Sequence, residues 1–305
     1  TPVTVNSGGT LFMYAFENPV LVGAKPLVLN GSGYNVALGA LDASYGNCSW
    51  AGQVTLASDS VIDNDSSLDL SAPIIGPGGF TKHGSGTLTL SGTAANTYAG
   101  TTVVNEGTLV LSKSSIVKSV PGNLVIGDGS GSDTVTLASN NQLALTADVL
   151  IRSGGLLECG AYWALIDTLR GSGTVHFGTG GYLAVGESSG TSTFDGPMTG
   201  VGYGLGYTLA KMGTGTFTMN GNASFSAGIT HVYDAGKLVV NGSISSAVTV
   251  ESGCTLGGTG TVGAITDYGV VSPGASAGKL SSGNVAFGSA GSLAIELNGN
   301  TVGSG

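Results

Sequence analysis

The segment Gly84-Ser-Gly-Thr-Leu-Thr-Leu-Ser-Gly92 alternates apolar with polar residues for one short strand and has glycine at both ends. Alternation turns Leu88 and Leu90 to one face and Thr87, Thr89 and Ser91 to the other. A strand this short cannot bury its apolar face alone and needs a neighbour of the same kind. The chain repeats the pattern far downstream, in Gly213-Thr-Gly-Thr-Phe-Thr-Met-Asn-Gly221. The match extends on both sides. FTKHGSGTLTLSG (80–92) runs beside LAKMGTGTFTMNG (209–221), and TYAGTTVVNEGTLVL (97–111) beside FSAGITHVYDAGKLVV (225–240) with one residue inserted. A shorter interval runs inside each block: Leu88 to Leu109 and Phe217 to Leu238 are equal steps. Short strands and glycine corners at a spacing near 20 mark a solenoid.

The same period of two fills most of the chain, at Leu124/Ile126, Val135/Leu137, Leu183/Val185, Leu238/Val240, Val248/Val250 and Leu293/Ile295/Leu297. Between these runs stand glycine-rich turns such as 76–79, 127–129, 171–173 and 257–260. Only 161–170 (AYWALIDTLR) carries a helical spacing, at Tyr162, Leu165, Ile166 and Leu169; it reads either as one short lateral helix or as a strand and a corner. The expected fold is all-β: a parallel β-helix (β-solenoid) of roughly 20-residue coils stacked about 4.8 Å apart. Residues 1–305 would form one continuous solenoid of about fifteen coils, with Leu88 and Leu90 facing its axis.

Composition agrees and excludes alternatives. Of 305 residues 55 are glycine, 41% are hydrophobic and 9% are charged, against about 25% charged in an ordinary soluble domain. The apolar content argues against disorder, and the glycines keep no three-residue collagen period. With a net charge of −9 and nine Lys plus Arg in no basic run, nucleic acid is not an expected partner. No apolar stretch approaches the ~20 residues of a membrane span. Cys48, Cys159 and Cys254 form neither a zinc pattern nor a disulfide framework and read as buried free thiols, with a single disulfide as the alternative.

Groups with chemical potential are sparse. Asp59, Asp63, Asp65 and Asp69 form the densest carboxylate cluster, and paired carboxylates serve acid–base chemistry on polysaccharides. No Arg is near and the closest Lys is Lys82, so VIDNDSSLDL reads as strand, solvated turn, strand. Asp128-Gly-Ser-Gly-Ser-Asp133 resembles one unit of a calcium-binding nonapeptide, but one unit does not complete an oxygen cage. GTGTVG at 258–263 fits a dinucleotide-binding pattern without the strand–helix context that gives it meaning. His83, His176 and His231 stand apart, and Trp50, Trp163 and the tyrosines are scattered and read as core or corner packing rather than as sugar platforms. No catalytic, cofactor-binding or metal-ligating residue is assigned, and no cofactor is expected.

The ordered block Lys82-x-Gly-x-Gly-Thr-Leu-x-Leu-Ser-Gly92, followed by Asn96-Thr-Tyr-x-Gly100-x-Thr-x-Val-x-x-Gly107-Thr-Leu-x-Leu111, resembles the autotransporter-associated β-strand repeat, also called the passenger-associated transport repeat. Lys211 to Val240 resembles a second copy, with Ser-Phe-Ser-Ala-Gly at 224–228 for Asn-Thr-Tyr-x-Gly. The flanks are similar to such repeat proteins over about 50–305, whereas residues 1–50 match weakly. The resemblance implies a right-handed β-helix on a bacterial surface or secreted, with motif glycines and Leu/Val positions that are architectural. It implies a structural or adhesive, non-enzymatic role. The alternatives are a carbohydrate-active or carbohydrate-binding β-helix, and a filament subunit stacking end to end. Both ends, Thr1-Pro-Val-Thr-Val5 and Leu293-Ala-Ile-Glu-Leu297, alternate like inner strands without a cap. The expected partners are therefore further coils, in a longer chain or in another copy, and cell-surface glycans.

Overall fold

In the computed structural model, which describes residues 1–35, 38–204, 206–274 and 278–296, every element is a β-strand. The strands pair in parallel with strands one coil away. The chain is an all-β parallel β-solenoid, and it divides into two compact units, Thr1–Glu158 and Cys159–Gly305.

In the first unit one ladder climbs through Val20–Val22, Asn47–Trp50, Ser67–Leu70, Thr87–Gly92, Gly107–Lys113, Asp133–Leu137 and the first residues of Gly155–Gly160. Register places Leu68, Leu88, Leu109 and Val135 above one another, and Leu70, Leu90, Leu111 and Leu137 beside them. All are buried. This answers what the short strand packs against: the same position one coil below and one coil above. A second ladder carries Val3–Val5, Leu27–Gly31, Val54–Asp63, Phe80–His83, Thr102–Val104, Leu124–Ile126 and Asp148–Ile151. The residues that resemble the repeat weakly therefore already form coils.

Among its described residues the second unit has three ladders. One runs through Trp163–Ile166, Tyr182–Val185, Tyr207–Lys211, Ile229–Val232, Val248–Val250, Ile265–Asp267 and Val285–Phe287. Another runs from Thr168–Gly171 through Thr216–Met219 and Lys237–Val240 to Ser292–Leu293. The third links Thr174–Thr179, Met198–Gly202 and Asn222–Phe225 onward to Thr261–Val262. Phe217 stacks on Leu238 and Met219 on Val240, reproducing at the same step the stack of Leu88 on Leu109 and Leu90 on Leu111.

Of the two readings of 161–170, the strand and corner is the one present: Trp163–Ile166 and Thr168–Gly171 are strands. Asp167 shapes the corner between them, its Oδ1 accepting the amides of Ser188 at 2.9 Å and Gly190 at 2.8 Å. The expected strand 293–297 is corrected. Pairing covers only Ser292–Leu293, Leu293 and Ile295 are exposed, and Leu297 lies outside the described residues. Cys48, Cys159 and Cys254 are buried free thiols.

Corners need glycine for a local reason. Gly84 and Gly213, equivalent in the two sequence blocks, have φ of 79° and 65°. A Cβ on either would stand 2.6 Å from the Asn64 carbonyl oxygen or 2.2 Å from that of Gly186, each in the coil before. Between corners, burial of inward Leu, Val, Ile and Phe holds the coils together, at about 1.5–3 kcal/mol for each fully buried side chain. Leu90→Ala should therefore cost about 3 kcal/mol in urea unfolding, and Leu90→Asp more, because the charge has no partner on the axis. A wild-type midpoint in either variant would contradict the stacking.

Candidate functional site

The chemistry-bearing residues collect in two places, one in each unit. In the first unit the register that stacks leucines also stacks polar residues at the strand ends. Asp42 lies beside Asp63, and Asp63 beside His83. Asp63 is not the solvated turn residue that its sequence suggests; it is 3% exposed, at the buried end of Val54–Asp63. Burial, then the charges of Asp42 and Asp65, push its carboxyl up to about 6. His83 Nδ1 stands 3.6 Å from Asp63 and 3.4 Å from Glu106, so this histidine is not isolated as its sequence suggests. Asp59, Asp65 and Asp69 point elsewhere. Asp59 accepts the Gly79 amide at 2.7 Å, Asp65 accepts the Ser85 amide at 2.9 Å, and Asp69 accepts the Ser91 hydroxyl at 2.7 Å. Each ties one coil to the next.

Lys82 is fully buried within this corner. Its ammonium donates to the carbonyls of His83, at 3.0 Å, and of Gly84. Burial lowers its pKa to about 8, against the opposing pull of Asp63 and Glu106. Lys211 repeats the arrangement in the second unit, donating to the carbonyls of Met212 and, at 2.9 Å, Gly213. The lysine of Lys-x-Gly-x-Gly is thus a buried clamp on the glycine corner. Sequence reasoning counted only the glycines and aliphatic residues as architectural; the missed signal was that both copies keep Lys two positions before the corner glycine. Asn96 and Tyr98 of the first copy are also internal. Asn96 accepts the Ile74 amide at 2.8 Å and donates to the Ser119 carbonyl at 2.7 Å, and Tyr98 meets Phe80 edge-on at 5.7 Å.

Asp128 and Asp133 do not act together. Asp128 is exposed and accepts the Ser130 amide and hydroxyl, whereas Asp133 is buried. Burial, with Asp128 nearby, pushes Asp133 up to about 6.

The second place is a groove of about 480 Å³ on the second unit, lined by Trp163, Gly180, Tyr182, Tyr203, Gly206 and Tyr207. Trp163 and Tyr182 are register partners at the outward-facing starts of adjacent strands. Tyr207 follows one coil on, where a bulge between Tyr207 and Leu209 breaks the register. A tight turn, closed by the Gly206 amide on the Tyr203 carbonyl at 3.1 Å, sets Tyr203 on the rim. The Tyr203 amide also donates to Thr208 Oγ1 at 3.0 Å. Behind the groove, His231 is sandwiched between Tyr207, at 4.1 Å, and Tyr233, at 4.9 Å. Its Nε2 stands 2.9 Å from Glu251. Tyr182 and Tyr233 share a hydroxyl–hydroxyl contact at 3.4 Å, and Tyr233 donates on to Met212 Sδ. Burial raises the pKa of both phenols, so they stay protonated. The aromatic residues are therefore not simply scattered packing. Trp50 is in the core, its Nε1 donating to the Lys25 carbonyl at 2.7 Å, but Trp163 and three tyrosines converge on a surface.

Fold and sites together define a β-solenoid with repeat-encoded corners. The passenger-associated-transport-repeat family model matches the chain at residues 80–111 and 209–240. Each matched segment spans one coil step and holds a buried lysine and a corner glycine. No curated protein and no solved structure matches the chain.

The buried carboxyls give the first unit a pH response of definite sign. A carboxyl with a folded pKa of about 6 and an unfolded value near 3.8 holds its proton more tightly when folded. Its effect favours the fold below pH 4 and is lost as pH rises through 6. Stability against urea should rise as pH falls from 7 to about 4.5. Asp63→Asn should stabilise the protein at pH 7 by about 1–3 kcal/mol and flatten that slope. A slope unchanged in Asp63→Asn would place the titration elsewhere.

Proposed function

We propose that this chain is a non-catalytic β-solenoid with a structural and adhesive role in a protein displayed on, or released from, a bacterial surface. The observation that carries this is the pair of passenger-associated transport repeats built into the coil itself. Their distinguishing residues, Lys82 and Lys211, are used on backbone carbonyls rather than in an open site. The repeat family is associated with secreted and surface-exposed passengers, which supports the location.

Absence of turnover is part of the proposal. Acid–base chemistry on a polysaccharide needs two groups that both reach the bond being broken. Asp42 and Asp63 are buried, and Asp59, Asp65 and Asp69 are each engaged with the neighbouring coil. His83, Glu106 and Asp65 of that corner reach solvent, and Asp65 is engaged by the Ser85 amide and hydroxyl. The aromatic groove offers contact area and hydroxyls, which suit binding.

Two measurements test this reading. Antibody against the chain should label intact, non-permeabilised producing cells or their culture medium. Incubation with polygalacturonate, alginate, chitin or glycosaminoglycans should release no reducing ends. Label confined to permeabilised cells would overturn the location, and turnover abolished by Asp63→Asn would overturn the non-catalytic role.

A further inference from the structure

We infer that the aromatic groove of the second unit is a binding site for uncharged glycan chains. This rests on the adhesive reading above and names its ligand.

Three features lead to that chemistry. The first is shape: an open groove of about 480 Å³ is within the usual range of small-ligand sites and leaves room for a chain to continue past it. The second is the lining. Trp163, Tyr182, Tyr203 and Tyr207 line the groove, and aromatic rings carry a negative quadrupole that attracts the polarised C–H groups of a pyranose, while phenol hydroxyls suit its polar edge. Gly180 and Gly206 add no side chain between the rings. The third is preorganisation. His231 holds Tyr207 by stacking and is itself held by Glu251, and Tyr182 is tied to Tyr233, so these rings are positioned before any ligand arrives.

Charge selects among glycans. Tyr182 and Tyr233 feel the carboxylate of Glu187, and Tyr233 also that of Asp234; Glu251 lies just behind His231. The ammonium of Lys211 is turned to backbone carbonyls. A uronic or sialic acid would meet repulsion here.

The test is calorimetric titration of the whole 305-residue chain with mannohexaose, xylohexaose, cellohexaose and chitohexaose. Galacturonate hexamer and choline serve as rival probes, the latter because aromatic clusters also capture quaternary ammonium groups. At least one neutral hexasaccharide should bind, and Tyr203→Ala and Tyr207→Ala should each weaken it tenfold or more. Tyr203 is 52% exposed, so Tyr203→Ala should keep the wild-type melting temperature, whereas Tyr207→Ala also removes the ring stacked on His231 and is compared after circular dichroism has verified its fold. Tyr34→Ala, an exposed aromatic in the first unit, should change nothing. Trp163→Phe should retain weaker binding. No binding of any neutral hexasaccharide at millimolar concentration would overturn the assignment. So would tighter binding of galacturonate or choline, or indifference to Tyr203→Ala. Surface labelling that succeeds while titration fails would remove only this inference; the reverse would remove only the location.

Discussion

Coverage of each coil by the next is the constraint from which the other features of this protein follow. A coil of about 20 residues has too little area to form a core; its inward leucines are out of water only because identical register positions lie above and below. Parallel pairing enforces this, since a one-residue slip would turn Leu88 and Leu90 outward and Thr89 inward. Backbone amides and carbonyls are satisfied by the same stacking. The chain therefore needs few charges for its fold, and 9% charged residues suffice, provided that every coil keeps its inward positions apolar.

The difficulty moves to the corners, where strands end and carbonyls from successive coils converge. At Gly84 the neighbouring backbone comes too close for any Cβ, so glycine is required there. Glycine alone leaves the corner carbonyls crowded together without a donor. Lys82 and Lys211 supply one, with the stem of the side chain in the apolar interior and the ammonium on two carbonyls. A buried cation is costly unless hydrogen-bonded, and its lowered pKa records that cost. The nearby Asp63 and Asp133 show the opposite shift for the same reason, since burial disfavours either charge. The corner is thus where this fold accumulates titratable groups.

What could be read beforehand follows from the same distinction. Strand positions along the axis were legible, because period-two alternation and a common coil step both survive in the sequence around Leu88, Leu109, Phe217 and Leu238. The turn at 64–66 was legible too, but the burial of Asp63 beside it was not. That depends on Asp42 and His83, which register brings alongside from one coil before and one coil after. At 161–170 the helical spacing of Tyr162, Leu165, Ile166 and Leu169 misleads, because a strand, a corner at Asp167 and another strand place the same apolar residues without a helix. Leu293 and Ile295 mark the converse limit: they alternate as an inner strand does, yet both are exposed. Alternation makes a strand fit for a coil but does not provide the coil that covers it.

The aromatic groove shows why outward-facing sites are harder still to read. Inward positions are held to one chemistry by the coil above, whereas outward positions answer to nothing but solubility, and a cluster there is assembled from residues far apart in the chain. Trp163, Tyr182 and Tyr207 come together because parallel register aligns strand starts, although the intervals between them differ. The step from Leu183 to its register partner Leu209 is longer than the step from Leu209 to Thr230. The longer coil cannot place its extra residues in the stack, so they leave the ladder as the turn that carries Tyr203 and Gly206 over the outer face. An irregular coil length is thus the sequence trace of a surface feature. In a solenoid of this kind, the positions that break the repeat are where binding can be built, because the positions that keep it are already occupied in covering one another.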